Sequence, residues 1–99
     1  MKEIISNLNK VFESRIRLGI MSVLMVNDFI DFNSLKDQLN LTDGNLASHL
    51  NTLEKEGYVE VRKQFIGKKP NTKYHATRKG RNAFTKHLEY LEKLISKKP

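Results

Sequence analysis

The apolar period of this chain switches at Gly57 and returns at Thr77, and those changes limit the folds open to it. Before Gly57 apolar residues recur mostly about every 3.6 positions; from Tyr58 to Ala76 they alternate. Upstream, Leu46, Leu50 and Leu53 fall on one side of a segment that Thr42 is placed to cap. Gly57 suits the left-handed position just past a helix end. Downstream, Tyr58-Val59-Glu60-Val61-Arg62 alternates, with Val59 and Val61 on one face and Phe65 in the same phase. Gly67-Lys68-Lys69-Pro70-Asn71 reads as a turn, and Lys73-Tyr74-His75-Ala76 as the returning strand.

The flanks extend this pattern. Ile4, Ile5, Leu8, Val11 and Phe12 predict a helix over 1–13. Ser14 caps a second run, Ile16, Ile20, Val23 and Leu24, that reaches about Val26, with Leu18, Met21 and Met25 adding apolar surface. Gly19 within it suggests a closely approaching neighbour helix. Phe29 to Phe32 fits a short strand, and Asn33 is the expected cap of a helix carrying Leu35 and Leu39. Asn40-Leu41 is a tight connection to the helix capped by Thr42. Thr77 caps a last helix over 78–96 with a stripe of Phe84, Leu88, Leu91 and Ile95, Leu94 beside it, before the tail Lys97-Lys98-Pro99. At 99 residues the expectation is one domain, mainly α with a small β-hairpin. Two helices on a tight turn (33–57) followed by a hairpin (58–77) is the order of a winged helix-turn-helix.

Charge is as unevenly spread as periodicity. Of 18 Lys and Arg, nine lie between Val61 and Leu88, where no acidic residue occurs; the remainder carries nine basic and all eleven acidic residues. Positive charge so concentrated suits a polyanion, because each phosphate neutralised releases a condensed counterion. There is no cysteine, which excludes a disulfide framework and a thiol nucleophile. No apolar run approaches the ~18 residues of a membrane span, and a signal-peptide core is absent, so a cytoplasmic protein is expected.

The third helix, 43–56, has a second face made of Gly44, Asn45, Ser48, Asn51, Thr52 and Lys55. A merely solvated face favours long Glu and Lys; short neutral donors and acceptors suit base edges and phosphates. Gly44 in the first turn either lets a phosphate approach the backbone or is simply a glycine tolerated at a helix start. His49, on the flank, suits either a partly buried position or a phosphate. At the hairpin tip, 67–73, Lys68, Lys69 and Lys73 are suited to phosphate, with Pro70 as a stiffener and Arg62 further down the strand. His49, His75 and His87 are far apart, and no nucleophile motif, phosphate-cradling loop or apolar carboxylate pair occurs. Neither an enzyme nor a metal or other cofactor is expected. The tyrosines and phenylalanines fit core or strand positions, which favours duplex DNA over single strands. RNA or a protein partner is the alternative.

The blocks Phe32-Asn33-Ser34-Leu35-Lys36, Leu41-Thr42-Asp43-Gly44-Asn45-Leu46-Ala47-Ser48-His49-Leu50, Gly57-Tyr58-Val59, Gly67-Lys68-Lys69-Pro70-Asn71-Thr72-Lys73-Tyr74 and Thr77-Arg78-Lys79-Gly80-Arg81 resemble compact prokaryotic winged-helix regulators related to the MarR and ArsR families. The resemblance runs from about Ser14 to Leu94. It implies dimeric, sequence-specific binding of duplex DNA, with the third helix in the major groove and the wing on the flanking minor groove. Carried over by position, Thr42, Asn45, Ser48, His49 and Thr52 face the groove, while Lys68, Lys69 and Thr72 belong to the wing. The chain departs from those families in lacking the ArsR cysteine box and the MarR Asp-Arg wing pair. Surplus apolar surface at both ends (Ile4, Leu8 and Phe12; Leu88, Leu91 and Ile95) predicts terminal helices that pair two chains into a homodimer.

Overall fold

In the computed structural model, which describes residues 1–96, the elements follow the predicted order with a shorter start and a longer hairpin. They are α1 (Lys2–Ser6), a 3-10 turn (Lys10–Glu13), α2 (Arg15–Met25), β1 (Ile30–Asp31), α3 (Phe32–Leu39), α4 (Asp43–Lys55), β2 (Val59–Ile66), β3 (Lys69–Ala76) and α5 (Arg78–Ser96). The strands form one antiparallel sheet in the order β1-β3-β2, with Ile30 opposite Tyr74 and Val59 opposite Ala76. The tail from Lys97 to Pro99 lies outside the described residues.

The core sits where the helical faces meet the base of the hairpin. Ile20, Met21 and Leu24 from α2, Leu35 from α3, and Leu46, Leu50 and Leu53 from α4 are buried there with Val59, Tyr74 and Phe84. Each such side chain contributes roughly 1.5–3 kcal/mol relative to exposure. Capping follows the sequence at Ser14, whose hydroxyl accepts from the Arg17 N–H, and at Thr42, which accepts from that of Asn45. Between α3 and α4, Asn40 takes the left-handed conformation (φ 52°), which an Asn tolerates better than most residues. Gly57 ends α4 with φ +77°.

The base of the hairpin is bolted shut. Thr77 donates from its hydroxyl to the Gly57 carbonyl (2.6 Å) and from its backbone to that of Tyr58 (3.0 Å). Its hydroxyl also accepts from the Gly80 N–H. Gly80 then passes so close to the Tyr58 backbone that a Cβ there would overlap it. Gly19 likewise marks a close helix approach, a Cβ there falling 3.3 Å from Leu39. Arg81 closes the opposite end of α2 by donating to the free carbonyls of Leu24 and Met25 (both 3.2 Å).

Several expectations are corrected. The helix predicted over 1–13 breaks at Asn7-Leu8-Asn9. Asn9 gives its N–H to His87 Nδ1 (3.0 Å) and its amide to the Tyr58 hydroxyl (2.9 Å), contacts that a continuous helix would forbid. The break turns Phe12 inward against Tyr58, Phe84 and His87, leaving it 2% exposed. Phe12 is therefore core and not pairing surface, and Ile4 is buried as α1 lies on α5 of the same chain. The first strand spans two residues, and the cap of α3 is Asp31 instead of Asn33; its carboxylate accepts from the Ser34 N–H (2.8 Å). The turn holds only Gly67 and Lys68, with Ile66 opposite Lys69, so Pro70 to Thr72 belong to β3. On α5, Phe84 and His87 face the core, while Leu88 and Ile95 are 43% and 87% exposed. Leu8 and Leu91 are half-buried.

Candidate nucleic-acid interface

Three leucines press one side of α4 into the core, which fixes what its other side presents. Gly44, Asn45, Ser48, Asn51 and Lys55 are exposed, as is the capping Thr42. Thr52 is half-buried, and its hydroxyl donates to the Ser48 carbonyl (3.3 Å). Asp43, the one acid in the first turn, lies 2.9 Å from the Lys36 ammonium, which offsets its charge where an anion would approach. Hydrogen bonding to Asp43 and its charge hold the Lys36 pKa above the ordinary value. This pair spans two helices, and nothing in the spacing of Lys36 and Asp43 announces it.

His49 is placed by a residue the sequence reading missed. The Arg17 guanidinium stands 3.0 Å from His49 Nδ1 and donates through Nε to the Val11 carbonyl (2.7 Å). A guanidinium only donates, so Nδ1 accepts and the ring is neutral with its proton on Nε2. Burial, then the Arg17 charge, pushes the His49 pKa down. The half-buried reading of His49 is the one this geometry supports; at neutral pH it is a neutral donor and not a cation for phosphate.

The hairpin is core at its base and free at its end. Beyond Val61, every residue of β2 is exposed, and five further residues at about 3.4 Å each carry the strand roughly 17 Å outward. Alternation puts Val61, Lys63 and Phe65 on the face of Tyr74, Thr72 and Pro70, which turns toward the helices through the Phe32–Tyr74 contact. Lys68 is in the turn and Lys69 beside it. Arg62 and Lys73 are paired on the opposite face, where Arg62 covers the Phe29 ring (4.9 Å) and Phe29 meets His75. The structure therefore puts Lys63 and Thr72 on the face of Phe65 and Lys68 in the turn, while Lys69 falls on the opposite face with Arg62 and Lys73. Lys63 was overlooked although it shares the strand phase of Phe65.

The basic run from Val61 to Leu88 also divides. Arg81 is committed to the end of α2, and Lys79 lies over the Tyr58 ring (5.7 Å). Arg78, Lys79 and Lys86 border an open cleft of about 610 Å3 between α5 and the Asn7–Asn9 segment, away from the hairpin tip. At its floor His87 is buried, and that burial pushes its pKa down against an opposing pull from Glu13.

A family model of winged helix DNA-binding domains matches residues 16–95, which spans α2 to α5 but for the first residue of α2 and the last of α5. The chain belongs to the winged helix DNA-binding domain family. That family is one of DNA-binding regulators and not of enzymes. This winged helix is 43% identical over 79 residues to an uncharacterised protein of Methanocaldococcus jannaschii, covering 80% of the chain and 86% of its relative. Among solved structures it is similar to a transcriptional regulator homologue from Pyrococcus horikoshii OT3, with 33% identity and a TM-score of 0.84. That match covers 95% of this chain and 91% of the other. A MarR-family regulator from Silicibacter pomeroyi shares the fold at 17% identity and a TM-score of 0.68, over 93% of this chain and 64% of its own. No helix of the winged helix is long and apolar enough to cross a membrane, among the described residues.

Proposed function

We propose that this winged helix is a transcriptional regulator that binds specific double-stranded DNA as a homodimer, with α4 in the major groove and the wing on the flanking minor groove. The observation that carries the reading is that the chain presents two exposed features of complementary kind. One is the short-chain polar face of α4; the other is an arm reaching roughly 17 Å past the core with Lys63, Lys68 and Lys69 on it. Half a turn of duplex is about 17 Å, the step from a major groove to the next minor groove. Asn45 and Ser48 would read base edges, Thr42 and the Gly44 backbone would meet phosphate, and Lys55 would meet it at the far end of α4. The relation to a Pyrococcus transcriptional regulator homologue supports the regulatory role.

For the homodimer, the support is the apolar surface left on α5. Leu88 and Ile95 remain exposed even after α1 has covered part of that helix. A two-fold pair would place two α4 helices about 34 Å apart, so the site would be pseudo-palindromic. The test compares duplex DNA, single-stranded DNA and structured RNA at one stated salt concentration, then sequences the fragments the pure protein selects. Duplex preference with a two-fold site is expected; RNA preference overturns the reading. Light scattering of Leu88→Lys/Leu91→Lys should show a folded monomer with weakened DNA binding. A wild-type monomer that binds tightly would refute the dimer.

A further inference from the structure

We propose that the tip of the wing is an apolar wedge, in which Phe65, backed by Pro70 across the ladder, enters the minor groove and parts a base step, with Ile66 adding apolar surface on the other face of the tip. The proposal rests on the duplex-DNA reading above and names what the wing contributes to it. Phe65 is 75% exposed and Ile66 59% exposed, at the end of the arm farthest from the core. The register explains how they are held. Ile66 opposite Lys69 closes the two-residue turn, so it is the hydrogen-bonded pair and Phe65 opposite Pro70 is the non-hydrogen-bonded one. There the two Cα atoms approach to about 4.5 Å, and the donor that proline lacks would have pointed away from β2. Phe65 and Pro70 thus form one apolar edge on the face that turns toward the helices.

Cations surround that edge. Lys63 is two residues back on the same face, Lys68 is in the turn, and Lys69 is opposite Ile66, with no acid anywhere from Val61 to Leu88. An arm that only tracked phosphates would need the lysines alone. Leaving an aromatic and a β-branched residue at an open hairpin end invites strand pairing with other chains. An apolar centre ringed by cations matches a groove whose rims are phosphate and whose floor is stacked base edges. Self-association of two tips would instead press the lysines of one against those of the other. Burying side chains of this size recovers about what unstacking one step costs. The wedge therefore favours easily opened pyrimidine–purine steps such as TA and CA, and selects sequence where no base edge is read.

The experiment uses the full chain and a duplex it has selected from a random pool, with 2-aminopurine placed in turn at each flanking position. Binding should raise the fluorescence at one step in each wing-facing flank. Phe65→Ala should abolish the rise and weaken binding about tenfold, leaving the salt slope unchanged. Phe65→Leu should retain most of both. Because Phe65 touches no core, the urea midpoint of Phe65→Ala should match the wild type. Duplex binding with no fluorescence change, or Phe65→Ala that binds and signals like wild type, overturns the wedge while the DNA reading stands. A drop in solution mass for Phe65→Ala with unaltered DNA binding would assign the tip to self-association and overturn it too. Failure to select or bind any duplex would overturn both.

Discussion

Helix α4 and the outer wing are built on opposite terms. In α4 one face is closed by Leu46, Leu50 and Leu53, both ends are capped, and the polar face is held in position by that burial. In the wing beyond Val61 neither face of β2 is covered, and only the ladder to β3 and a two-residue turn give it shape. The difference teaches that the two arms of the candidate interface have separate determinants. Changes under α4 act on folding, whereas changes on the wing act on contact alone.

The largest effect that would break this comparison is expected at Leu50, fully enclosed beneath α4. Leu50→Ala should cost about 2–5 kcal/mol in urea unfolding, from lost transfer and the cavity left behind. A cost below that of a surface substitution would show that α4 is not anchored by its leucines. Next, Asn45→Ala or Ser48→Ala should narrow the gap between selected and random duplex by about 1–3 kcal/mol, with stability nearly unchanged. Equal weakening on both duplexes would mean that the face contacts backbone only. On the wing, Lys68→Ala and Lys69→Ala should leave the urea midpoint within about 0.5 kcal/mol of wild type. Each should lower the slope of log K against log salt by about 0.9. An unaltered slope would take the wing off phosphate.

The smallest expected effect is one of pH. His87 and His49 both have pKa values pushed below about 6.5, chiefly by burial. As pH falls the unfolded chain takes up these protons first. Their contribution is complete above about 6.5 and is lost as pH falls from there toward the folded-state values. The urea midpoint should therefore decline between pH of about 7.5 and about 5.5, and His87→Gln should flatten part of that decline. A midpoint that rises on acidification would contradict the buried, neutral state of these rings.

Local signals carried most of α4 into the sequence reading. Its cap, its leucine repeat and its terminal glycine lie within the helix or within two residues of it, so no distant contact is needed to find them. The start of the chain was illegible for the opposite reason. Asn9 breaks the predicted helix through partners 49 and 78 residues away, and no spacing shows such a contact. The wing was half legible. Alternation placed Phe65 in the phase of Val59 and Val61 but says nothing about whether a core lies opposite it. Pro70 looked like a turn residue because its harmlessness in β3 depends on which pair of the ladder it occupies. Arg17 carried no signal at all; its role exists only once α2 and α4 have packed.

The joint formed by Thr77, Gly80, Gly57 and Tyr58 has a mechanical consequence. It ties the first turn of α5 to the exit of α4 through hydrogen bonds and a backbone contact too close for a side chain to slip between. Bending at that corner would have to break those hydrogen bonds, which couples the direction of α5 to that of α4. With α4 in the groove as proposed, whatever grips the far end of α5 would also aim α4, and a tilt imposed there would be passed on as displacement along the duplex.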